Sequence, residues 1–235
     1  MKKLLLLTLI LTISFIGYCQ TVQEYLNSAN EKNDLQDFRG AINDFNNALI
    51  LNPNVGHTYF LRANSKKYLQ DFTGAIDDYT NAIVINIRDA NAYFGRGECK
   101  LFIGDNRGAI ADFNKAIDFD PKFAFAYFNR ANAKCALEDY RGAIADYTKS
   151  MVINPKYPVT YFNRGVAKNG LGDLNGAIAD FNKAIENNPE NEKAYFNRGL
   201  IKIKLNQKES GCLDLSKAGE LGYESAYEAI KELCN

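Results

Sequence analysis

The pentapeptide YFNRG stands at residues 161–165 and recurs, letter for letter, at residues 195–199. Close variants occur earlier at the same interval of 34 residues: YFLRA from residue 59, YFGRG from 93 and YFNRA from 127. A fixed interval over most of a chain indicates a stack of similar structural units. The motif also raises a chemical question, because every copy places an arginine between an aromatic pair and a small residue.

Six frames of this length fill residues 22–225 without insertion or deletion. They are 22–55, 56–89, 90–123, 124–157, 158–191 and 192–225. Within a frame, positions 4, 8 and 11 share one helical face, and positions 17, 20, 21, 24, 27 and 28 share another. Aspartate at position 16 can cap the second helix, and proline at position 32 ends it in four frames. Each frame therefore predicts two amphipathic helices.

These repeats resemble the tetratricopeptide repeat, which has the same period. Large residues stand at positions 4 and 24, and small residues at positions 8 and 20. The resemblance covers residues 22–225 and implies an all-α fold, a right-handed α-solenoid of antiparallel helix pairs whose first helices line a concave groove. Because the last repeat of a solenoid exposes an apolar face, residues 226–235 are expected to form a capping helix.

The chain departs from the family pattern at positions 7 and 11, which normally face neighbouring helices. Position 7 holds arginine in five frames and position 11 holds lysine in all six, and buried cations are unfavourable unless they are paired. Aspartates at positions 16 and 23 can supply the partners. The first frame has Ser28 in place of the arginine, and no repeat precedes it.

This coincidence predicts that each arginine pairs with the position-23 aspartate of the repeat before it. The predicted ion pairs are Asp44 with Arg62, Asp78 with Arg96, Asp112 with Arg130, Asp146 with Arg164, and Asp180 with Arg198. Such pairs would set the register between repeats. The alternative is that the charges reach solvent over an apolar seam.

The predicted groove carries aromatic and amide side chains. In the family, positions 5 and 6 of the first helix face the groove, so the predicted protein-binding residues are Phe60, Phe94, Phe128, Phe162, Phe196, Asn129, Asn163 and Asn197. Rings would supply buried area to a bound peptide and amides would bond its backbone. Alternatively, the rings stack on one another as an internal spine. Phenylalanine at position 5 argues against the family's carboxylate clamp, which requires lysine there.

Two of the five cysteines lie near the end of the array. Cys212 and Cys234 would meet if the last two helices run antiparallel, which predicts a disulfide; two separately buried thiols are the alternative. Cys99 and Cys135 occupy different frame positions and are interpreted as small apolar fillers. The cysteines lack the short paired spacings of a metal site and the chain has one histidine, so no cofactor is expected.

Residues 1–19 differ from the rest of the chain. Lys2 and Lys3 precede a largely apolar stretch over residues 4–16, followed by Gly17 and Cys19, which is the layout of a secretory signal peptide. Cleavage is expected after Cys19. Two alternatives stay open: a lipoprotein in which Cys19 is lipidated and kept, and an uncleaved anchor. The protein is therefore expected to be exported, and to be periplasmic, secreted or associated with the outer membrane.

The charge balance and the repeat assignment restrict the functional class. Basic and acidic residues number 28 each, so the chain has no basic surplus for binding nucleic acid. Residues 22–235 are all assigned to repeats or to the cap, which leaves no room for a catalytic domain. The sequence predicts a non-enzymatic exported scaffold that binds a protein or peptide through the groove. The alternative is a lipid-anchored or envelope-assembly structural component.

Overall fold

The computed structural model describes residues 21–155 and 157–234. The predicted signal peptide, residues 1–19 with Cys19, lies outside the described residues. In the described ranges, every regular element is a helix. The chain divides into two compact units, unit 1 up to Pro121 and unit 2 from Lys122.

The helices of each unit pack consecutively as antiparallel pairs, which confirms the all-α solenoid fold. In unit 1 the described residues form α1 (residues 21–34), α2 (Phe38–Leu51), α3 (Gly56–Tyr68), α4 (Phe72–Ile85), α5 (Ala90–Phe102) and α6 (Asn106–Phe119). In unit 2 they form α7 (Ala124–Ala136), α8 (Tyr140–Ile153), α9 (Val159–Leu171), α10 (Leu174–Asn187), α11 (Glu192–Lys204), α12 (Lys208–Glu220) and α13 (Ser225–Leu233).

The same short turn joins the two helices of every repeat. Its position-15 residue has a positive φ in all six: Gln36, Gln70, Gly104, Glu138, Gly172 and Asn206. Four of these are not glycine, although left-handed backbone costs such residues about 1–2 kcal/mol. In repeats 1 to 5 the position-16 aspartate follows, and its Oδ1 accepts the backbone N–H of the position-19 glycine at 2.9–3.0 Å. The predicted N-caps are thereby confirmed at Asp37, Asp71, Asp105, Asp139 and Asp173.

The core of each repeat combines one large side chain with small ones. The large side chains at position 24 are buried: Phe45, Tyr79, Phe113, Tyr147, Phe181 and Leu215. Their close approach to the first helix needs a small residue at position 8, since a Cβ on Gly97 would lie 2.7 Å from the Phe113 ring. Where position 24 is tyrosine, its hydroxyl is satisfied by a position-9 asparagine. Tyr79 donates to Asn64 at 2.5 Å, and the equivalent bond in repeat 4 measures 2.6 Å.

The last helix, α13, is fastened to α12. A disulfide joins Cys212, near the start of α12, to Cys234, which follows α13. Ala226 is fully buried, and the Tyr227 hydroxyl donates to the Gly219 carbonyl oxygen at 3.0 Å. The disulfide therefore holds one end of the capping helix while the tyrosine holds its other end.

Candidate interaction surfaces

Three charged side chains meet at the seam between the two helices of a repeat. This seam cluster consists of the aspartate at position 23 with the arginine at position 7 and the lysine at position 11 of the same repeat. In repeat 3, Arg96 donates from Nε to Asp112 Oδ2 at 2.9 Å and from Nη2 to Oδ1 at 2.7 Å. Lys100 Nζ lies 2.8 Å from Oδ2, and the aspartate side chain is 5% exposed. Two cations thus enclose one buried carboxylate.

Every repeat that contains the arginine forms this cluster. The ion pairs are Arg62–Asp78, Arg96–Asp112, Arg130–Asp146, Arg164–Asp180 and Arg198–Asp214. The lysines that share these aspartates are Lys66, Lys100, Lys134, Lys168 and Lys202. The arginines at position 7 and the lysines at position 11 are therefore paired with aspartates and do not follow the alternative in which they reach into solvent.

The prediction that each arginine pairs with the aspartate of the preceding repeat was wrong. The bidentate partners of Arg62, Arg96, Arg130, Arg164 and Arg198 are not Asp44, Asp78, Asp112, Asp146 and Asp180 respectively, but the aspartates of their own repeats. Antiparallel packing is the reason, because it places positions 7 and 11 of the first helix opposite position 23 of the second. The position-16 aspartates cap helices and take no part in the cluster.

Within each unit, arginines do contact the preceding repeat, through a neutral side chain at position 25. The guanidinium nitrogen Nη1 donates to it at 2.6–3.0 Å, in the bonds Arg62 to Asn46, Arg96 to Thr80, Arg164 to Thr148 and Arg198 to Asn182. The tyrosine at position 4 completes the site, with its ring centroid 5.3–6.0 Å from the arginine Cζ. A cation over an aromatic face is stabilised by the ring quadrupole. In the motif, the tyrosine at position 4 therefore lies against the arginine guanidinium. The small residue at position 8 leaves space for the position-24 ring of the core.

Repeat 1 has a different seam. Ser28 donates from Oγ to Asp44 Oδ2 at 2.6 Å, and Lys32 Nζ lies 2.6 Å from the same oxygen. The Lys32 side chain is 36% exposed, against 18–21% for the lysines of the other repeats. Burial acts to raise the pKa of Asp44, but the hydrogen bonds from Lys32 and Ser28 outweigh it and hold that pKa below its ordinary value.

The predicted groove residues lie on the first helices of the repeats. We use the term groove face for positions 5, 6 and 9 of these helices within each unit. The position-5 rings pack against the position-24 ring of the same repeat at centroid distances of 5.7–5.8 Å: Phe60 on Tyr79, Phe94 on Phe113, Phe128 on Tyr147 and Phe162 on Phe181. Phe196 packs on Tyr223 at 4.8 Å. Phe128 is buried and the other four are half-buried, so these rings belong partly to the core and partly to the surface.

The predicted groove amides are partly engaged within the protein. Asn163 Nδ2 donates to Asn132 Oδ1 at 3.2 Å, and Asn197 Nδ2 donates to the Lys193 carbonyl oxygen at 2.8 Å. Asn129 is half-buried, as are the other two. These amides can bond a ligand only through their remaining polar atoms or by exchanging these bonds.

A second surface, which the sequence analysis missed, lies at the edge of the groove face of unit 1. We call it the turn edge; it consists of position 13 of a first helix and position 17 of the preceding second helix. Phe38 stacks on Tyr68 at 4.7 Å, and Phe72 stacks on Phe102 at 4.8 Å. Tyr68 is 68% exposed and Phe102 is 70% exposed. The signal was present in the sequence, because aromatic residues recur at position 17 (Phe38, Phe72) and at position 13 of the following frame (Tyr68, Phe102).

Two equivalent pockets open at the turn edge, one repeat apart. The first, of about 430 Å³, is lined by Lys67, Tyr68, Gln70, Phe72, Glu98 and Phe102. The second, of about 400 Å³, is lined by Asn33, Asp34, Gln36, Phe38, Leu61, Asn64, Ser65 and Tyr68. Lys67 and Glu98, which is at position 9 of the groove face, form an ion pair of 2.8 Å in the first pocket. Each pocket therefore combines aromatic side chains with polar groove residues.

Unit 2 has no equivalent aromatic pair at the same positions in its described residues. The Tyr140 ring lies over Gly170, where an added Cβ would approach the ring to 2.7 Å. A glycine at position 13 leaves Tyr140 without a second ring to stack on. Repeats with the same internal packing thus present different edges.

Comparison with protein-family profiles identifies two of the repeats. Residues 90–123 match the profile described as tetratricopeptide repeat, and residues 170–206 match the profile described as TPR repeat. The first match coincides with the third frame, and the helix pairs have the packing such repeats form. The chain is a tetratricopeptide-repeat (TPR) protein. A comparison with curated proteins gives no match.

Solved TPR-type structures share the fold of this TPR protein. The crystal structure of MamA protein is 25% identical with a TM-score of 0.69, covering 74% of this chain and 95% of that one. YrrB, described as a TPR protein with an unusual peptide-binding site, is 21% identical with a TM-score of 0.71, covering 80% and 97%. A tetratricopeptide repeat protein from Parabacteroides merdae ATCC 43184 is 20% identical with a TM-score of 0.68, covering 92% and 100%. Of the helices described in this TPR protein, none is long and apolar enough to cross a membrane.

Proposed function

We propose that this TPR protein is a non-enzymatic scaffold that binds a peptide segment of a partner protein through the groove face and the turn-edge pockets of unit 1. The observation that carries the proposal is the pair of equivalent pockets one repeat apart, walled by exposed aromatic rings. TPR folds are typical of protein–protein interaction, and the proposal assigns that role to specific side chains.

The chemistry of the pockets favours apolar or aromatic side chains from the partner. Rings as exposed as Tyr68 and Phe102 offer large apolar area at little conformational cost, which is why aromatic residues dominate binding hot spots. The Lys67–Glu98 ion pair beside them is neutral as a unit. A strongly charged ligand is therefore not favoured, while a peptide backbone can exchange hydrogen bonds with groove-face amides.

A binding role also agrees with the state of the free thiols. Burial raises the pKa of Cys99 to about 11 and raises the pKa of Cys135 above its ordinary value. A thiol in this state carries little thiolate at neutral pH and is a poor nucleophile. This supports the interpretation of both cysteines as small fillers.

We also propose that the protein is exported. The support is the signal-peptide pattern of residues 1–19 together with the Cys212–Cys234 disulfide, since disulfides persist mainly in oxidising compartments. The second candidate function, a lipid-anchored component of the envelope, rests on Cys19 alone. Metabolic labelling with a radioactive fatty acid tests it: label that disappears in Cys19→Ser would favour the anchored form, and an unlabelled chain would exclude it.

The experiment for peptide binding starts from random peptides selected on the wild-type protein. We expect selected peptides to be rich in aromatic residues and to bind Phe102→Ser about tenfold more weakly, because the pocket loses one wall. The matched control is Leu213→Ser, which removes a similarly exposed apolar side chain from α12 in unit 2. Phe94→Ala tests the groove face separately. Equal affinity for wild type, Phe102→Ser and Phe94→Ala would overturn the proposal.

A further inference from the structure

Five of the six repeats show how a guanidinium fits at the seam. In each, the aspartate at position 23 binds it in bidentate fashion, and the tyrosine at position 4 lies against its face. Repeat 1 retains the corresponding aspartate and tyrosine, Asp44 and Tyr25, but has Ser28 where the arginine would begin. The other repeats therefore act as an internal template for what this site can hold.

The space that the missing arginine leaves is open. A pocket of about 310 Å³ is lined by Thr21, Glu24, Tyr25, Ser28 and Asp44. The Asp44 side chain is only 10% exposed, yet it lines this pocket. In the described part of the chain both hydrogen bonds to Asp44 end on Oδ2. Its Oδ1 corresponds to the oxygen that accepts arginine Nη2 in the other repeats.

The charges around the pocket suit a cation. Glu24 and Asp44 line it, and Lys32 pairs with Asp44 from the side of the second oxygen. This lysine does not exclude a second cation, because the equivalent lysine shares its aspartate with an arginine in all five other repeats. A guanidinium bound in this pocket would thus give repeat 1 the same group of charges as the other five repeats, one aspartate with a guanidinium and a lysine.

We propose that the pocket of repeat 1 binds an arginine side chain of a partner protein, whose guanidinium donates to Asp44 Oδ1 and stacks on Tyr25. Arginine fits better than lysine, because its planar fork matches a carboxylate and its face matches an aromatic ring. The ammonium position of the template is, in addition, already taken by Lys32. This inference is independent of the turn-edge pockets, which lie elsewhere in unit 1.

Nuclear magnetic resonance titration of the isotope-labelled chain tests the proposal. The probe is N-acetyl-arginine N-methylamide, compared with its citrulline and lysine analogues. We expect the arginine probe to shift the backbone amides of Glu24, Tyr25 and Ser28 and to bind about tenfold more tightly than the neutral citrulline analogue. Equal affinities, or shifts confined to other regions, would overturn the proposal.

Two variants show whether the shifts report this pocket. Ser28→Arg should fill the pocket from within, leave the circular dichroism spectrum unchanged and abolish the shifts. Asp44→Asn should weaken binding of the arginine probe about tenfold by removing the carboxylate charge. If the arginine probe bound Ser28→Arg as tightly as the wild type, the repeat 1 pocket would not be its binding site and the proposal would be wrong. Self-association of the wild type that Ser28→Arg abolishes would replace the partner protein by a second copy of the chain, and so would overturn the proposal as stated.

Discussion

Repeats 1 and 3 of unit 1 have the same aspartate at position 23 but use it differently. In repeat 3, Asp112 is enclosed by Arg96 and Lys100, and Arg96 also reaches Thr80 on the preceding repeat. In repeat 1, Asp44 is held by Lys32 and Ser28 and borders a pocket. The aspartate thus joins the two helices of its own repeat in both cases. Only the arginine extends this seam to the neighbouring repeat.

The largest expected effect comes from removing the aspartate itself. Asp112→Ala should lower the free energy of unfolding by about 3 kcal/mol, because Arg96 and Lys100 would remain as unpaired, mostly buried cations. Asp44→Ala is the matched variant and should cost only about 1 kcal/mol, since Lys32 can turn to solvent. Urea unfolding followed by circular dichroism measures both. Equal losses would show that the arginine does not distinguish the two seams.

Adding the missing arginine should make repeat 1 resemble repeat 3. We expect Ser28→Arg to raise the free energy of unfolding by about 1 kcal/mol, because a charge-assisted bidentate pair forms at the cost of ordering one side chain. The control is Ser28→Lys, which adds a positive charge without the planar guanidinium and should raise the free energy of unfolding by less. Thermal and urea unfolding of the three proteins measure the difference. A lower midpoint for Ser28→Arg than for wild type would mean that the pocket does not match the template.

Removing the contact between repeats should have a smaller effect. Thr80→Val deletes the hydroxyl that accepts from Arg96 Nη1 at 3.0 Å. Because the Arg96–Asp112 pair remains, we expect a loss of about 0.5–1 kcal/mol. Thr80→Ser keeps the hydroxyl and should be nearly neutral. A loss as large as that of Asp112→Ala would place the main role of the arginine between repeats rather than within one.

The pH dependence of repeat 1 should be the most subtle effect. The pKa of Asp44 lies below the ordinary value of 3.8, so its stabilising contribution is complete above that value and is lost as the pH falls through the lowered folded-state pKa. The difference in unfolding free energy between wild type and Asp44→Asn should therefore be constant near neutral pH and shrink below about pH 4. Urea unfolding over a pH series measures it, and a difference that grows on acidification would contradict the assignment.

The helices and their caps could be predicted because their determinants are local. The aspartate at position 16 and the glycine at position 19 lie three residues apart, so the cap follows from the sequence alone. The 34-residue interval places the same aspartate and glycine in five of the six frames. The disulfide between Cys212 and Cys234 could also be predicted, since antiparallel packing of neighbouring helices brings the start of one helix close to the end of the next.

The ion-pair partners could not be predicted because charge complementarity allowed two solutions. An arginine such as Arg96 had an aspartate available in its own repeat and another in the repeat before. The coincidence at Ser28 correctly indicated that the arginine contacts the preceding repeat, but the group contacted there is a neutral oxygen such as that of Thr80. Which of the two aspartates lies closer to the arginine depends on how the helix surfaces pack, and the sequence does not give that distance.

The sequence by itself determined the repeat, the helix pairs, their N-caps and the C-terminal capping helix, because each follows from the 34-residue interval or from the pattern of residues close in sequence. Only the tertiary structure decided which carboxylate each arginine binds, how much of each position-5 ring stays exposed, and that Phe38 and Phe72 stack on Tyr68 and Phe102 at an open edge. These depend on distances across packed helices. The same packing left a space in repeat 1, where the chain has a serine and the other repeats have an arginine.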